Sequence, residues 1–287
     1  MKISQAFDLY GYHMALEGQS KRAMDHNDYI KRKVIEELGD IKLKDLTTKS
    51  IYQWREAMVY RKLRDGTIVK RKPNSLRADL LRMRCMLKYM GKMGYKCPKY
   101  ELVPVPRRED NNRVFLTEEE VSKMIQCAWC LKNKFIISLL YSSGIRVSEL
   151  VSLDRDSILN KSFSVVGKGK KLRLCFIDER TEKLMAEYLA TRKDKSKALI
   201  VSDLYKDRMS VSNIQLIIRN SAKRAGITKH VTPHTFRHSF ATNFVRNNGG
   251  IKPLSLMLGH ASLNTTAIYT HLEDNELRNY YNQFHTV

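Results

Sequence analysis

Three short stretches hold the residue types that could do chemistry. They are Thr232-Pro233-His234-Thr235-Phe236-Arg237-His238, then Leu258-Gly259-His260, then Thr265-Thr266-Ala267-Ile268-Tyr269-Thr270-His271. A guanidinium and two imidazoles precede one tyrosine. Thr232 can cap a helix, and Pro233 suits its first position. His234 and Arg237 then stand three apart, on one helix face. Gly259 suits the left-handed stop of the next helix and leaves His260 just past its end. Tyr269 follows on a segment that Ser262 could cap. Such donors suit a phosphate, with a hydroxyl nearby that could attack it. His238 and His271 flank the set and read as packing or surface residues.

Two further cations stand upstream. Phe135 to Tyr141 is apolar nearly all round, which predicts a buried helix ending at Gly144. Arg146 follows at once, and an arginine there is costly to leave unpaired. Either Glu149 or an anionic ligand satisfies it. The period then changes from helical to alternating. Ser162 to Val166 and Leu172 to Phe176 predict two strands, joined by Gly167-Lys168-Gly169-Lys170-Lys171. Glycines on both sides of Lys168 allow close backbone approach at a hairpin tip. Lys168 could reach a phosphate or a leaving oxygen.

The rest of the chain reads as the frame for these residues. Helical stripes predict helices over 4–17, 24–38, 48–62 and 74–93, a four-helix domain at 1–100. Residues 61–72 between the third and fourth helices hold Arg61, Lys62, Arg64, Lys70, Arg71 and Lys72 against one acid, Asp65. Asp65-Gly66 signals a tight turn within a short hairpin. The basic run reads as a loop that tracks nucleic-acid phosphates. Residues 101–114 carry prolines and polar residues without period, as a linker does. Thr117 and Glu120 form a capping box that opens a second domain over 115–287. Further helices are expected over 179–192 and 211–225, the latter capped by Ser210 and stopped at Gly226. Residues 273–284 predict a closing helix.

Composition narrows the partner class. Among 287 residues, 52 are Lys or Arg and 30 are Asp or Glu, giving a net charge of +22. Basic residues recur through both halves, the footprint of a nucleic-acid binder and not of one membrane-surface helix. No apolar run of about 18 residues exists, so no membrane span is expected. Met1-Lys2-Ile3-Ser4-Gln5 carries no signal-peptide core. Five cysteines point to a reducing compartment, and the expected location is cytoplasmic. Cys127-Ala128-Trp129-Cys130 lacks a second Cys/His pair at metal-ligand spacing. It is read as packing inside a helix, and no metal is expected.

In chain order the set is Arg146, Lys168, His234-x-x-Arg237, His260 and Tyr269. It resembles the tyrosine recombinase (phage integrase) family, most closely the Xer-type branch. The resemblance rests on Gly-Ile-Arg-Val-Ser-Glu-Leu (144–150), Gly-Lys-Gly-Lys-Lys (167–171), Pro-His-Thr-Phe-Arg-His-Ser-Phe-Ala-Thr (233–242), Leu-Gly-His-Ala-Ser (258–262) and Ala-Ile-Tyr-Thr-His (267–271). It covers the last 170 or so residues strongly and the helical domain only in position and size. The resemblance implies a mainly α chain with a small antiparallel β-sheet. An N-terminal helical core-binding (SAM-like) domain and an α+β catalytic domain would form a C-shaped clamp on double-stranded DNA.

It further implies that Tyr269 attacks a phosphodiester to form a 3′-phosphotyrosyl bond, and that no cofactor is needed. Arg146 and Arg237 would clamp the phosphate, and Lys168 would protonate the leaving 5′-oxygen. His234 would move the tyrosine proton, His260 would bond the phosphate, and Glu149 would orient Arg146. The family's tetramers on DNA imply self-association, with Leu277, Tyr281 and Phe284 of the C-terminal tail packing on a neighbouring protomer or in cis. Chromosome dimer resolution and element integration or excision both fit. A non-catalytic DNA-binding accessory protein and a type IB topoisomerase-like relaxing enzyme are the alternatives.

Overall fold

The computed structural model describes residues 1–63, 65–107, 114–167, 172–259 and 274–285. The chain folds as two compact units, Met1–Asn111 and Asn112–Val287.

In the first unit the apolar stripes become four helices: α1 (Ile3–Leu16), α2 (Lys21–Leu38), α3 (Thr48–Ala57) and α4 (Pro73–Lys92). Local chemistry sets their ends. The Ser20 hydroxyl accepts the Ala23 N–H, the Thr47 hydroxyl accepts that of Ser50, and Pro73 opens α4. Phe7, Ile30, Val34, Ile51, Trp54, Leu80 and Met83 meet in one core and are fully buried. Each such side chain contributes about 1.5–3 kcal/mol of transfer free energy.

The third helix is shorter than its stripe suggests. It stops at Ala57, and Tyr60–Lys62 (β1) pairs antiparallel with Ile68–Lys70 (β2), Arg61 opposite Val69. Aromatic and β-branched residues favour the extended backbone here. The Asp65 carboxylate accepts the Thr67 N–H at 3.0 Å, and Gly66 takes φ +87°. That closes the turn.

The second unit comprises α5 (Glu118–Gln126), α6 (Leu131–Ser143), α7 (Val147–Ser152), β3 (Ser162–Val166), β4 (Leu172–Phe176), α8 (Glu179–Ala190), α9 (Val211–Arg224), α10 (Pro233–Arg246), α11 (Ile251–Leu258) and α12 (Asp274–Phe284). The capping box forms: Thr117 Oγ1 accepts the Glu120 N–H, and Glu120 Oε2 accepts that of Thr117. β3 and β4 pair antiparallel from Ser162–Phe176 to Val166–Leu172. α6 runs through the centre of this unit, with Phe135, Ile136, Ile137, Leu139 and Leu140 fully buried. From Phe135 onward α6 has no solvated face, so it needs elements on all sides, and α5, α8, α9 and α10 supply them.

A second expectation fails here. The cysteine pair lies in the turn between two helices, Cys127 closing α5 and Cys130 preceding α6, not inside one helix. α12 packs on its own chain in this structure. Leu277 and Tyr281 are buried beside Phe176, Phe240 and Phe244 of the same chain, and the Tyr281 hydroxyl donates to the Ser142 carbonyl at 2.9 Å. Phe284 stands edge-on to Phe244. The apolar side of α12 lies in an aromatic groove formed by Phe176, Phe240 and Phe244. No helix among the described residues is long and apolar enough to cross a membrane.

Candidate active site

Gly144 ends α6 in the left-handed conformation, φ +59°. A Cβ there would stand 2.7 Å from a ring carbon of Phe240, so only glycine lets α10 approach this closely. The turn hands Arg146 to the N-terminus of α7. Glu149, three residues on, folds back and accepts the Arg146 backbone N–H with Oε2 at 2.7 Å. Its Oε1 accepts Arg146 Nη1 at 2.9 Å. One carboxylate thus caps the helix and orients the arginine.

Thr232 caps α10 through the Thr235 N–H, and Pro233 takes the first position, as the spacing predicts. His234 is exposed in the first turn. Arg237, one turn later, is buried. It donates from Nη1 to the Gly144 carbonyl at 2.7 Å and from Nη2 to the Leu258 carbonyl at 2.6 Å. These carbonyls belong to the C-terminal ends of α6 and α11, where unpaired acceptors favour a cation. Arg237 therefore joins three elements. Burial, with the charges of Arg146 and Arg173 beside it, pulls its guanidinium down to about 10. It is still cationic at neutral pH.

Sequence reasoning passed over Arg173. This residue sits on β4 opposite Val165 and points inward. Its Nη1 and Nη2 fork onto Glu149 Oε1 and Oε2 at 2.8 and 2.5 Å, and Nε donates to the Met257 carbonyl at 2.9 Å. Burial pushes the Glu149 carboxyl up, but donors from Arg173 and Arg146 outweigh it and hold it at about 2. The available signal was phase. If Phe163 and Val165 face inward, the antiparallel partner of Val165 must also do so, and that partner is charged.

Arg146, Arg237 and Glu149 are thus brought together, with His234 on the helix that carries Arg237. Lys168, His260 and Tyr269 lie outside the described residues. Gly259 does take the left-handed stop, φ +61°, at the end of α11. In the first unit Arg61, Lys70 and Lys72 are exposed, Lys62 lies in β1, and Arg64 is outside the described residues. Arg71 corrects the expectation of phosphate contact. Its guanidinium bonds the buried carboxylate of Asp79 on α4 and reaches the Met58 carbonyl. His26 Nε2 holds the other Asp79 oxygen at 2.7 Å. A buried carboxylate demands such partners, so Arg71 turns inward and anchors the hairpin.

Residues 114–276 match the phage integrase family. Tyrosine recombinase XerA of Pyrococcus horikoshii is 40% identical over 168 residues, 57% of this chain and 58% of that protein. Tyrosine recombinase XerA of Thermococcus onnurineus is 31% identical over 283 residues, 96% of this chain and 94% of that protein. The fold is similar to that of a lambda integrase dimer bound to a COC′ core site, with TM-score 0.74 and 17% identity over 91% of this chain and 96% of that one. It is likewise similar to a lambda integrase tetramer bound to a Holliday junction, with TM-score 0.73 and 16% identity over 92% and 79% of the two chains. At these identities the structural likeness is one of fold. The family match and the near-full-length XerA relative carry more: the chain belongs to the phage integrase family, the tyrosine recombinases that carry out site-specific DNA recombination.

Proposed function

We propose that this chain cuts and rejoins duplex DNA with Tyr269 as nucleophile. The observation that carries the reading is the convergence of Arg146 and Arg237 on one basic site around Glu149. In the proposed step the Tyr269 oxygen attacks a backbone phosphorus, its proton passes toward His234, and the 5′-oxygen leaves with a proton from Lys168. The phosphorus keeps its oxidation state, and the 3′-phosphotyrosyl bond stores the energy of the broken diester. A 5′-hydroxyl from a second duplex reverses the step on a new strand. The transition state gathers charge on the nonbridging oxygens, where forked guanidinium donors are most effective. His260 adds a hydrogen bond to the same oxygens. No cofactor takes part in this scheme.

The proposed partner is double-stranded DNA, with Arg61, Lys62, Arg64, Lys70 and Lys72 of the first unit following its phosphates. Four copies on paired sites would perform the exchange in an Xer-type role within the cytoplasm. Joining through the tail then requires α12 to leave its own aromatic groove for a neighbour's. Assembly is thereby coupled to undocking of Tyr281.

A pool of nicked duplexes with randomised sequence tests the reading. The protein is incubated with the pool, denatured in detergent and separated on a gel. The expected result is a covalent adduct enriched in one site with the wild type and none with Tyr269→Phe. No adduct with the wild type, or an adduct that survives Tyr269→Phe, sinks the catalytic reading.

A further inference from the structure

Arg173 touches no surface from which it could meet DNA. Its side chain is 5% exposed, and all three of its nitrogens donate inward. Its reach is nonetheless coupled to the proposed phosphate clamp through a shared carboxylate. A carboxylate offers about four lone-pair sites. At Glu149 all four are taken: Oε1 by Nη1 of Arg146 and Nη1 of Arg173, Oε2 by the Arg146 backbone N–H and Nη2 of Arg173. Arg173 holds the forked geometry. Arg146 is left with a single side-chain bond, and among the described residues its remaining guanidinium donors have no partner.

Fork-to-fork pairing is the strongest arrangement open to an arginine and a carboxylate. With Arg173 gone, Glu149 would have an open edge and Arg146 a reason to turn onto it. The clamp would then face its own carboxylate instead of a ligand. The site guards against this by fixing Arg173 in place. Nε is tied to Met257 at the end of α11, and a Cβ at Gly259 would come within 2.9 Å of Arg173 Cδ, so the stem packs directly on that glycine. Among the described residues, three guanidiniums around one carboxylate also leave two positive charges without a counter-ion in the cluster. An anion completes it.

Building on the recombinase reading, we propose that Arg173 is a positioning residue for strand cleavage: it saturates one edge of Glu149 and so keeps the Arg146 guanidinium available to the phosphate under attack. Its role is geometric and not simply one of charge, so lysine does not replace it. A lysine is a point donor that cannot fork onto both oxygens.

Two measurements test this. The first uses Arg173→Lys, which keeps the charge and most of the packing, on the duplex that the wild type cleaves. Single-turnover adduct formation is expected to fall about 100-fold, the scale of a misplaced catalytic group, while duplex affinity stays near that of the wild type. Wild-type cleavage by Arg173→Lys, or equal loss of binding and cleavage, overturns the proposal. The second needs no cleavage and no variant. Guanidinium 15N–1H spectra of the wild type are followed during titration with inorganic phosphate. The Arg146 signals are expected to shift and those of Arg173 to stay still. Arg173 signals that move with phosphate as those of Arg146 do would make Arg173 a direct contact and end the positioning role. A wild type without adducts would sink the recombinase reading, and the phosphate titration would still decide the assignment of Arg173.

Discussion

At the scale of residues, Arg237, a phosphate clamp in the proposed scheme, is also part of the frame. It binds the carbonyls that end α6 and α11 while lying beside Arg146. Arg237→Ala is therefore expected to slow single-turnover adduct formation by roughly 10²–10³-fold, as loss of a transition-state donor does. It should also lower the unfolding midpoint, since two buried carbonyls lose their donor. A variant that melts lower but cleaves at the wild-type rate would confine Arg237 to the frame. Arg237 and Arg146 were legible because each sits at a local signal, a Thr-Pro helix start and a glycine helix stop. Arg173 and Asp79 were not. Each occupies a position that the periodic pattern assigns to the core, and each is satisfied by a partner distant in sequence, 24 residues away for Glu149 and 53 for His26. Pattern reading treats such a charge as noise, whereas the fold treats it as half of a pair.

At the scale of elements, the helices were legible where a cap or a glycine marked their ends. α3 was not, because a helical stripe ran on into residues whose β-branched neighbours and Asp-Gly turn favour a hairpin. The closing helix was legible as an amphipathic segment, but its partner was not, because apolar spacing does not say whose groove it fills. The tail itself carries one group that makes docking measurable. His285 is 6% exposed and is ringed by Tyr141, Phe240 and Tyr281, its Nε2 4.0 Å from Asp178. Burial pulls its imidazole down to about 4 despite Asp178. An unfolded histidine takes up its proton near pH 6.5. Between these values the undocked state binds the proton and the docked state does not. Docking is thus at full strength above about pH 6.5 and weakens by up to about 1.4 kcal/mol per pH unit as pH falls toward 4. Proteolysis of the tail at pH 7.5 and pH 5 checks this, with faster cleavage expected at pH 5. His285→Phe should remove most of the difference. An unchanged pH dependence in that variant would mean that other groups control the tail.

At the scale of the whole molecule, the net charge of +22 divides evenly between the two units. Each unit has its own core and its own surplus of cations, so neither depends on the other for attraction to a polyanion. Salt dependence measures how many of these charges meet phosphate, because each phosphate neutralised on duplex DNA adds about 0.9 to the slope of log affinity against log salt. The hairpin of the first unit offers an internal control. Arg61, Lys70 and Lys72 are exposed, whereas Arg71 in the same run is committed to Asp79. Replacing the three exposed residues by glutamine is expected to shallow the slope by nearly three units. Arg71→Gln should leave the slope unchanged and instead lower stability, since a buried carboxylate loses its cation. Fluorescence anisotropy on a labelled duplex at several salt concentrations separates the two. If Arg71→Gln shallows the slope as much as one of the exposed changes does, Arg71 leaves Asp79 to bind DNA, and its assignment as an anchor is wrong.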